Sequence, residues 1–527
     1  MRNVRMGWAI LVVISMMVIS ACGSTTTANK GTNTAGNAKA SATGEPTGGD
    51  KELVVRFYDN PAGFDPATIF RVENENIAFN VFGGLTTYDG ETGELVPDLA
   101  ESWETSDNKI WTFHLRKGVQ WQSGYGEFTA ADVQYSYNRI MDPATASTYS
   151  AEFADVVKIE TPDDYTVVIE LSKPNGNFLH VVANYHQGQI VKQEAIEAGG
   201  DQVKFNPIGT GPYYVEKIDV NSEIVLARHE DYYKGPAPIK RITFPIIKNE
   251  SNATIALQNG EIDVIMRSNR EEELAILEKA GFKMNSSMNT MTYIMMLNYK
   301  NQYLSDVRVR HAVAYALDYP SISAALAPKN ETSPAYNIVP DWMDIFTDKV
   351  PQYKYDPEKA KALLAEAGYA DGINLTLLIG AVNEEYQLVQ EYLKAVGINM
   401  DFEVVDAATY NQRRLVGEFD ISIRAIPALN PDMLLFSYLH PDNIAPAGLN
   451  SSSYSNPELT EKLEAAKVEL DQEKRQKLYE EVQIIAMEDL PYYPMFGINY
   501  YWPSKQNVTG IHINKLSQVN FYDVDMN

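Results

Sequence analysis

Seven histidines, one cysteine and 70 carboxylates are the groups from which this 527-residue chain would have to build catalysis or a metal site. The histidines are His114, His180, His186, His229, His311, His440 and His512. No pair has the helical spacing of a zinc protease with a glutamate between, and the six-residue gap from His180 to His186 defines no site. The lone cysteine, Cys22, excludes thiolate metal sites and disulfides from the rest of the chain. The stretch GTGPYY (Gly209–Tyr214) has the glycines of a nucleotide loop. It runs on into Tyr213, Tyr214 and Val215, which read as strand, whereas a phosphate loop opens a helix. Turning the backbone is the simpler role for those glycines. No G-x-S-x-G elbow and no P-loop occur, and no spacing pairs two carboxylates as an acid and a base. The expectation is a chain with no catalytic residue, no cofactor and no metal ligand.

Cys22 has a different context. Arg2 and Arg5 precede an apolar run from Trp8 to Ile19, broken only by Ser15, and the small residues Ser20 and Ala21 stand just before the cysteine. Charge, short apolar run, small residues and cysteine in that order resemble a bacterial lipobox, in which the thiol is lipidated and residues 1–21 are removed as a signal peptide. A plain secretory signal with an incidental cysteine is the alternative. Residues 23–50 contain only Ala, Gly, Ser, Thr, Asn, Lys, Pro, Glu and Asp. Such a composition buries too little to offset the entropy of ordering, so residues 22–50 read as a lipidated cysteine and a disordered tether, with a mean reach of about 30 Å.

Removing residues 1–21 takes away two arginines and no acid, and so moves the formal charge from −26 to −28. An acidic body argues against nucleic acid as a partner. No later run approaches 18 apolar residues, so no transmembrane helix is expected. The remaining length suits two or three domains. The chain holds 32 Tyr and 6 Trp, enough for some to line a binding cleft after the cores are filled.

The elements that would position such a cleft are a mixture of strands and well-punctuated helices. ELVVRFYDN (Glu52–Asn60) reads as a buried strand, Trp111–Trp121 alternates as a strand does and Asp164–Leu171 is another strand; in Ile398–Val405 apolar and polar residues alternate. Thr129 is expected to cap a helix carrying Val133, Tyr137 and Ile140 on one face. Asp356–Pro357 and Asn456–Pro457 each open a helix, and Gly368 closes the first. Val309, Ala312, Val313, Ala316 and Leu317 form another apolar stripe. The class is α/β without internal repeats.

These motifs together resemble the family 5 extracellular solute-binding proteins, the oligopeptide, dipeptide and nickel binding components of ABC importers. The resemblance rests on Ala100–Ile140 (AESWETSDNKIWTFHLRKGVQWQSGYGEFTAADVQYSYNRI), NPIGTGPYYV (Asn206–Val215), LQNGEIDV (Leu257–Val264), LSDVRVRHAVAYALD (Leu304–Asp318), KALLAEAGY (Lys361–Tyr369) and DLPYYPMF (Asp489–Phe496), which follow in family order across about 52–520. It implies a periplasmic-binding-protein-like type II fold, two α/β lobes with a hinged cleft plus an extra inserted domain. By order, lobe 1 takes 51–90, 200–298 and 497–527, the inserted domain 91–199 and lobe 2 299–496. Hinge strands are expected near Tyr293–Asn298 and Phe496–Tyr500. The implied role is a monomeric binding component, lipid-anchored on the outer side of the cell membrane. It would hand a peptide or other small solute to permease subunits.

Candidate ligand contacts follow. Tyr58 and Asn60 come after the first strand and are placed at the cleft rim, with core packing the alternative for Tyr58. Tyr293, Met295 and Asn298 would line the hinge side or pack inside it. In peptide-binding relatives the segment after Phe-Asp carries a Gly-Trp pair and an acid that meets the peptide amine. Here Phe419–Asp442 has Ala425-Ile426 at the pair and Asn430-Pro431 where the acid stands, leaving Asp432 as the nearest substitute. Arg424, if it faces the cleft, could hold a carboxylate or phosphate; a salt bridge is the alternative. This departure motivates a second cargo reading: an oligosaccharide, an opine-like anion or a nickel–chelator complex. A third reading is an exported hydrolase.

Overall fold

The computed structural model describes residues 51–527 apart from 70, 91, 287–290, 327–334, 428–430, 498 and 515; of residues 201–203, 323–326, 407, 408, 427, 432 and 433 only the backbone is described. The signal segment, Cys22, the tether and Asn430 therefore lie outside the described residues, as does the side chain of Asp432.

Three sheets organise the chain. A seven-stranded sheet has the order Lys283–Ser286, Tyr501–Ser504, Val264–Ile265, Lys51–Arg56, Ile239–Pro245, Glu223–Arg228, Tyr213–Asp219. Its central strand, Lys51–Arg56, pairs in parallel with both neighbours, Ile239–Pro245 and Val264–Ile265. A five-stranded sheet has the order Ile398–Val404, Ile373–Ile379, Ile421–Pro427, Met291–Leu297, Tyr492–Gly497. Its first three strands are parallel and its last two antiparallel. A four-stranded antiparallel sheet comprises Ala100–Glu104, Ile110–Leu115, Thr166–Leu171 and Val156–Asp163. Each sheet has its own apolar core, around Leu53, Val55 and Phe244 in the first, Ile294, Leu377 and Ile421 in the second, and Phe113, Val167 and Tyr137 in the third. A fully buried side chain of this kind contributes about 1.5–3 kcal/mol.

The expected helix starts are present. Thr129 and Asp132 form a reciprocal capping box at Ala130–Met141, and Val133, Tyr137 and Ile140 are buried on one face. The Asp356 carboxylate accepts from Lys359 N, and the Asn456 amide oxygen accepts from Glu458 N and Leu459 N. Each such cap stabilises its helix by about 1 kcal/mol. Gly209 and Gly211 serve close packing: neither has a positive φ, and an added Cβ would come within 2.0 Å of the Val81 carbonyl oxygen at the first and 2.6 Å of the Asn80 carbonyl oxygen at the second. Strand Tyr213–Asp219 then follows. In Ile398–Val404 the alternation fades at its carboxyl end, where Val404 is exposed.

Two details bear on the site. First, Tyr293–Leu297 of the expected hinge strand belong to Met291–Leu297, the fourth of the five strands, bonded on both sides, with its apolar residues filling the five-stranded core. Lys283–Ser286 lies in the seven-stranded sheet and Met291–Leu297 in the five-stranded one, and the chain returns from Tyr492–Gly497 to Tyr501–Ser504 of the seven-stranded sheet. Second, Val72–Val81 is a helix with nearly every residue buried, including Glu73, Asn74, Glu75, Asn76 and Asn80. Its asparagines clamp the C-terminal segment. Asn76 receives Val519 N at 3.0 Å and donates to Ser517 O at 3.1 Å; Asn80 receives Phe521 N at 2.8 Å and donates to Val519 O at 2.9 Å. Backbone groups that would otherwise be buried unpaired are satisfied this way.

Candidate functional site between the two larger sheets

In open α/β sheets, ligands sit beyond the carboxyl ends of the parallel strands, where the strand order reverses. Both larger sheets offer such an edge. In the seven-stranded sheet, Lys51–Arg56 leads into Phe57 and Tyr58, and Val264–Ile265 leads into Met266 and Arg267. In the five-stranded sheet the order reverses at Ile373–Ile379, which leads to Asn383, Glu384, Glu385 and Tyr386 at the start of the helix Glu384–Lys394.

Arg267 joins the two edges. It is half-buried on a left-handed backbone (φ 53°), unusual for a residue with a side chain. Its guanidinium lies 3.8 Å from the centre of the Tyr500 ring, a close cation–π contact. One terminal nitrogen reaches the Tyr58 oxygen at 3.4 Å and the other the Met291 sulfur at 3.4 Å. The Tyr58 hydroxyl donates to Glu73 Oε2 at 2.9 Å, and burial pushes that hydroxyl well above its ordinary range. Across the gap Tyr293 stacks on Phe496, ring centres 5.0 Å apart. Burial raises its hydroxyl too, and Tyr500, Tyr386, Glu385 and Arg267 are the charged or ionisable groups it feels. Glu385 is only 8% exposed, with Oε1 lacking a hydrogen-bond partner; burial lifts its carboxyl to about 7.

A second polar group adjoins the first. Glu75, fully buried, has Oε1 2.7 Å from His186 Nδ1, off the hydrogen-bonding direction, so that neither carboxylate oxygen has a hydrogen-bond partner. Tyr149 Oη is 3.0 Å from the same imidazole nitrogen, and the Tyr185 ring packs edge-on against the imidazole. His186 also has a left-handed backbone, φ 43°. Among the described residues, no group of three or more His, Cys, Asp or Glu side chains is placed to hold a metal ion.

The expected contact residues separate on this geometry. Tyr58 and Tyr293 come together around Arg267 and Tyr500. Asn60 is half-buried, its N–H donating to Asp59 Oδ1 at 2.8 Å. Met295 and Asn298 take the packing alternative: Met295 is wholly buried in the five-stranded core, and the buried Asn298 amide donates to the carbonyls of Gly417 and Phe419. An alternating strand sends Tyr293 and Met295 to the same face, but at Met295 that face is already covered by the core. Arg424 is half-buried on the strand Ile421–Pro427, one residue before Ala425, the cross-strand partner of Tyr293. Its guanidinium lies 5.9 Å from the centre of the Tyr438 ring, and no ion pair ties it to a described residue. Glu73, Glu75, His186, Arg267, Glu385 and Tyr500 carry no sequence signal of their own. They are gathered from the helix Val72–Val81, a turn, a helix start and two strand ends far apart in the chain.

A protein that presents two buried, charged strand edges to each other, joined by two neighbouring crossings, has the layout of a clamp. The family model of the bacterial extracellular solute-binding proteins, family 5, matches residues 94–445. The chain belongs to that family. This family 5 solute-binding protein is 28% identical to the heme-binding protein A of Haemophilus influenzae, the match covering 97% of each chain. It is 27% identical to the dipeptide-binding protein of Escherichia coli over 90% of this chain and 95% of that one. Its fold is similar to that of a Helicobacter pylori periplasmic binding protein associated with an ABC transporter, solved in complex with the peptide STSA. The TM-score is 0.79, with 27% identity, covering 90% of this chain and 98% of that one. The fold is thus the type II periplasmic-binding-protein fold. Among the described residues, no helix is long and apolar enough to cross a membrane.

Proposed function

We propose that this solute-binding protein captures a short peptide between its seven-stranded and five-stranded bodies, closes on it, and delivers it to an ABC permease without altering it. The observation that carries this reading is the meeting of the two bodies at Arg267: stacked on Tyr500 of its own body, it reaches Met291 of the five-stranded body, with Tyr293 opposite. A ligand between such edges adds contacts to both and favours the closed state. A micromolar affinity corresponds to about −8 kcal/mol. The peptide-binding relatives support the cargo class.

In this reading the seven-stranded body is lobe 1, the five-stranded body lobe 2, and the four-stranded sheet the core of the inserted domain. The chain acts as a monomer. Cys22 carries the lipid that holds it at the outer face of the membrane. A second reading, an opine-like organic anion as cargo, is favoured by Arg424, which lacks an acidic partner among the described residues. Isothermal titration calorimetry of the full-length chain separates the two. A panel of di- and tripeptides, opine-like anions, oligosaccharides and a nickel–histidine complex is used. Peptide binding at micromolar or tighter affinity supports the first reading; response to anions alone supports the second.

A further inference from the structure

Glu384 and Glu385 stand side by side in the first turn of the helix Glu384–Lys394, and only one of them meets solvent. Glu384 is exposed, whereas Glu385 is buried with its Oε1 lacking a hydrogen-bond partner. Burial is the one influence on the Glu385 carboxyl, and no cation among the described residues offsets it. The described ionisable groups that feel its charge are three phenols: Tyr293 on the strand Met291–Leu297, Tyr386 on its own helix and Tyr319 on the helix Tyr319–Leu326. Burial raises all three hydroxyls, so they stay neutral across the physiological range. The Tyr319 hydroxyl is also buried without a partner, and Tyr319 is 4% exposed.

A buried carboxyl without a counter-charge costs stability, and native structures rarely leave such oxygens unpaired. Two of them lie here within electrostatic reach of each other, among aromatic rings. Their place is the cleft edge of the five-stranded body. The helix follows the carboxyl end of Ile373–Ile379, where the strand order reverses, and Tyr293 is the residue that faces Arg267 across the gap. We infer that Glu385, with Tyr293, Tyr386 and Tyr319 around it, receives the cationic side chain of a lysine or arginine in the cargo. The cation would donate to the empty carboxylate oxygen and lie against phenol faces, which attract positive charge. A recessed carboxyl is reached by an arm of several methylenes, whereas a peptide α-amine is held one bond from the chain. This inference rests on the proposed binding function and specifies which cargo that function takes.

The test uses the full-length chain and calorimetry with two probes, Ala-Lys-Ala and Ala-norleucine-Ala, which differ by one ammonium group. At pH 8 the lysine probe should bind about tenfold or more tightly. The preference should shrink at pH 5.5, where Glu385 holds a proton and offers the cation no charge. Glu385→Gln should weaken the lysine probe by about tenfold and the norleucine probe by at most about twofold. Equal affinity of the parent for both probes at pH 8 overturns the inference while the peptide reading stands. So does an equal loss for both probes in Glu385→Gln, which would assign Glu385 to the α-amine that they share or to the frame of the cleft. If neither probe binds, 1,5-diaminopentane replaces them in thermal shift. Stabilisation of the parent that is lost in Glu385→Gln keeps the cation site and removes the peptide reading; no shift removes both.

Discussion

Lys467 Nζ lies 3.3 Å from Asp155 Oδ2, an ion pair between the helix Pro457–Val468 and the segment that leads into the four-stranded sheet. Beside it the Asn177 amide donates to the Tyr479 hydroxyl at 3.2 Å, and the buried imidazole of His180 feels the charge of Arg475. The four-stranded and five-stranded bodies thus touch away from the crossing strands. In the hinged clamp proposed above, contacts of this kind belong to the closed arrangement and are lost on opening.

Lys467→Ala should therefore shift the clamp toward its open state. A partly exposed pair contributes about 0.5–1 kcal/mol, so peptide affinity is expected to fall about two- to fivefold. Small-angle scattering of the ligand-free and ligand-saturated variant should show a larger radius of gyration than the parent in the first state and an equal one in the second.

Arg267→Lys keeps the charge but removes the planar surface stacked on Tyr500 and the fork that spans Tyr58 and Met291. Ligand affinity measured by calorimetry should fall by about tenfold or more, with little change in folding. Unchanged affinity would remove Arg267 from the binding surface.

Glu385 gives stability a pH dependence of defined sign. Burial raises its folded-state value to about 7 from an ordinary value of 4.5, so the folded protein holds a proton that the unfolded chain has released. The contribution is fully present below about pH 4.5 and is lost as the pH rises through about 7, a change of at most about 3 kcal/mol. His180 works in the opposite direction: burial first, then Arg475, lowers it to about 4, so its contribution is present above about pH 6.5 and lost as the pH falls through about 4. The comparison with Glu385→Gln isolates the first effect. In urea unfolding the variant should be more stable than the parent at pH 8, and the gap should close by pH 4.5.

Asn80→Ala should unclasp the C-terminal segment. It leaves the Phe521 N–H and Val519 carbonyl without their buried partner, at a cost of about 3 kcal/mol in chemical denaturation. A change below about 1 kcal/mol would mean that water replaces the amide.

The same asparagines show where sequence reading stops. Capped helices such as Pro357–Glu366 and Pro457–Val468 were legible because caps and apolar stripes are local. The helix Val72–Val81 was not: VENENIAFNV has no single apolar face, since it buries polar groups on every side. Tyr58 could be placed from the end of its strand. Arg267 and Glu385 could not, because their meaning comes from strand ends 118 positions apart. Met295 and Asn298 were in the right strand region, but their apolar and amide character serves the core equally well.

Native mass spectrometry of the full-length chain, before and after mild denaturation to strip ligand, tests the central claim most directly. A short-peptide clamp predicts co-purifying masses that form a ladder of short peptides, vanish on stripping and return when peptides are added back. A mass unchanged by stripping and unmoved by any peptide would contradict it, as would added peptides recovered as cleaved products.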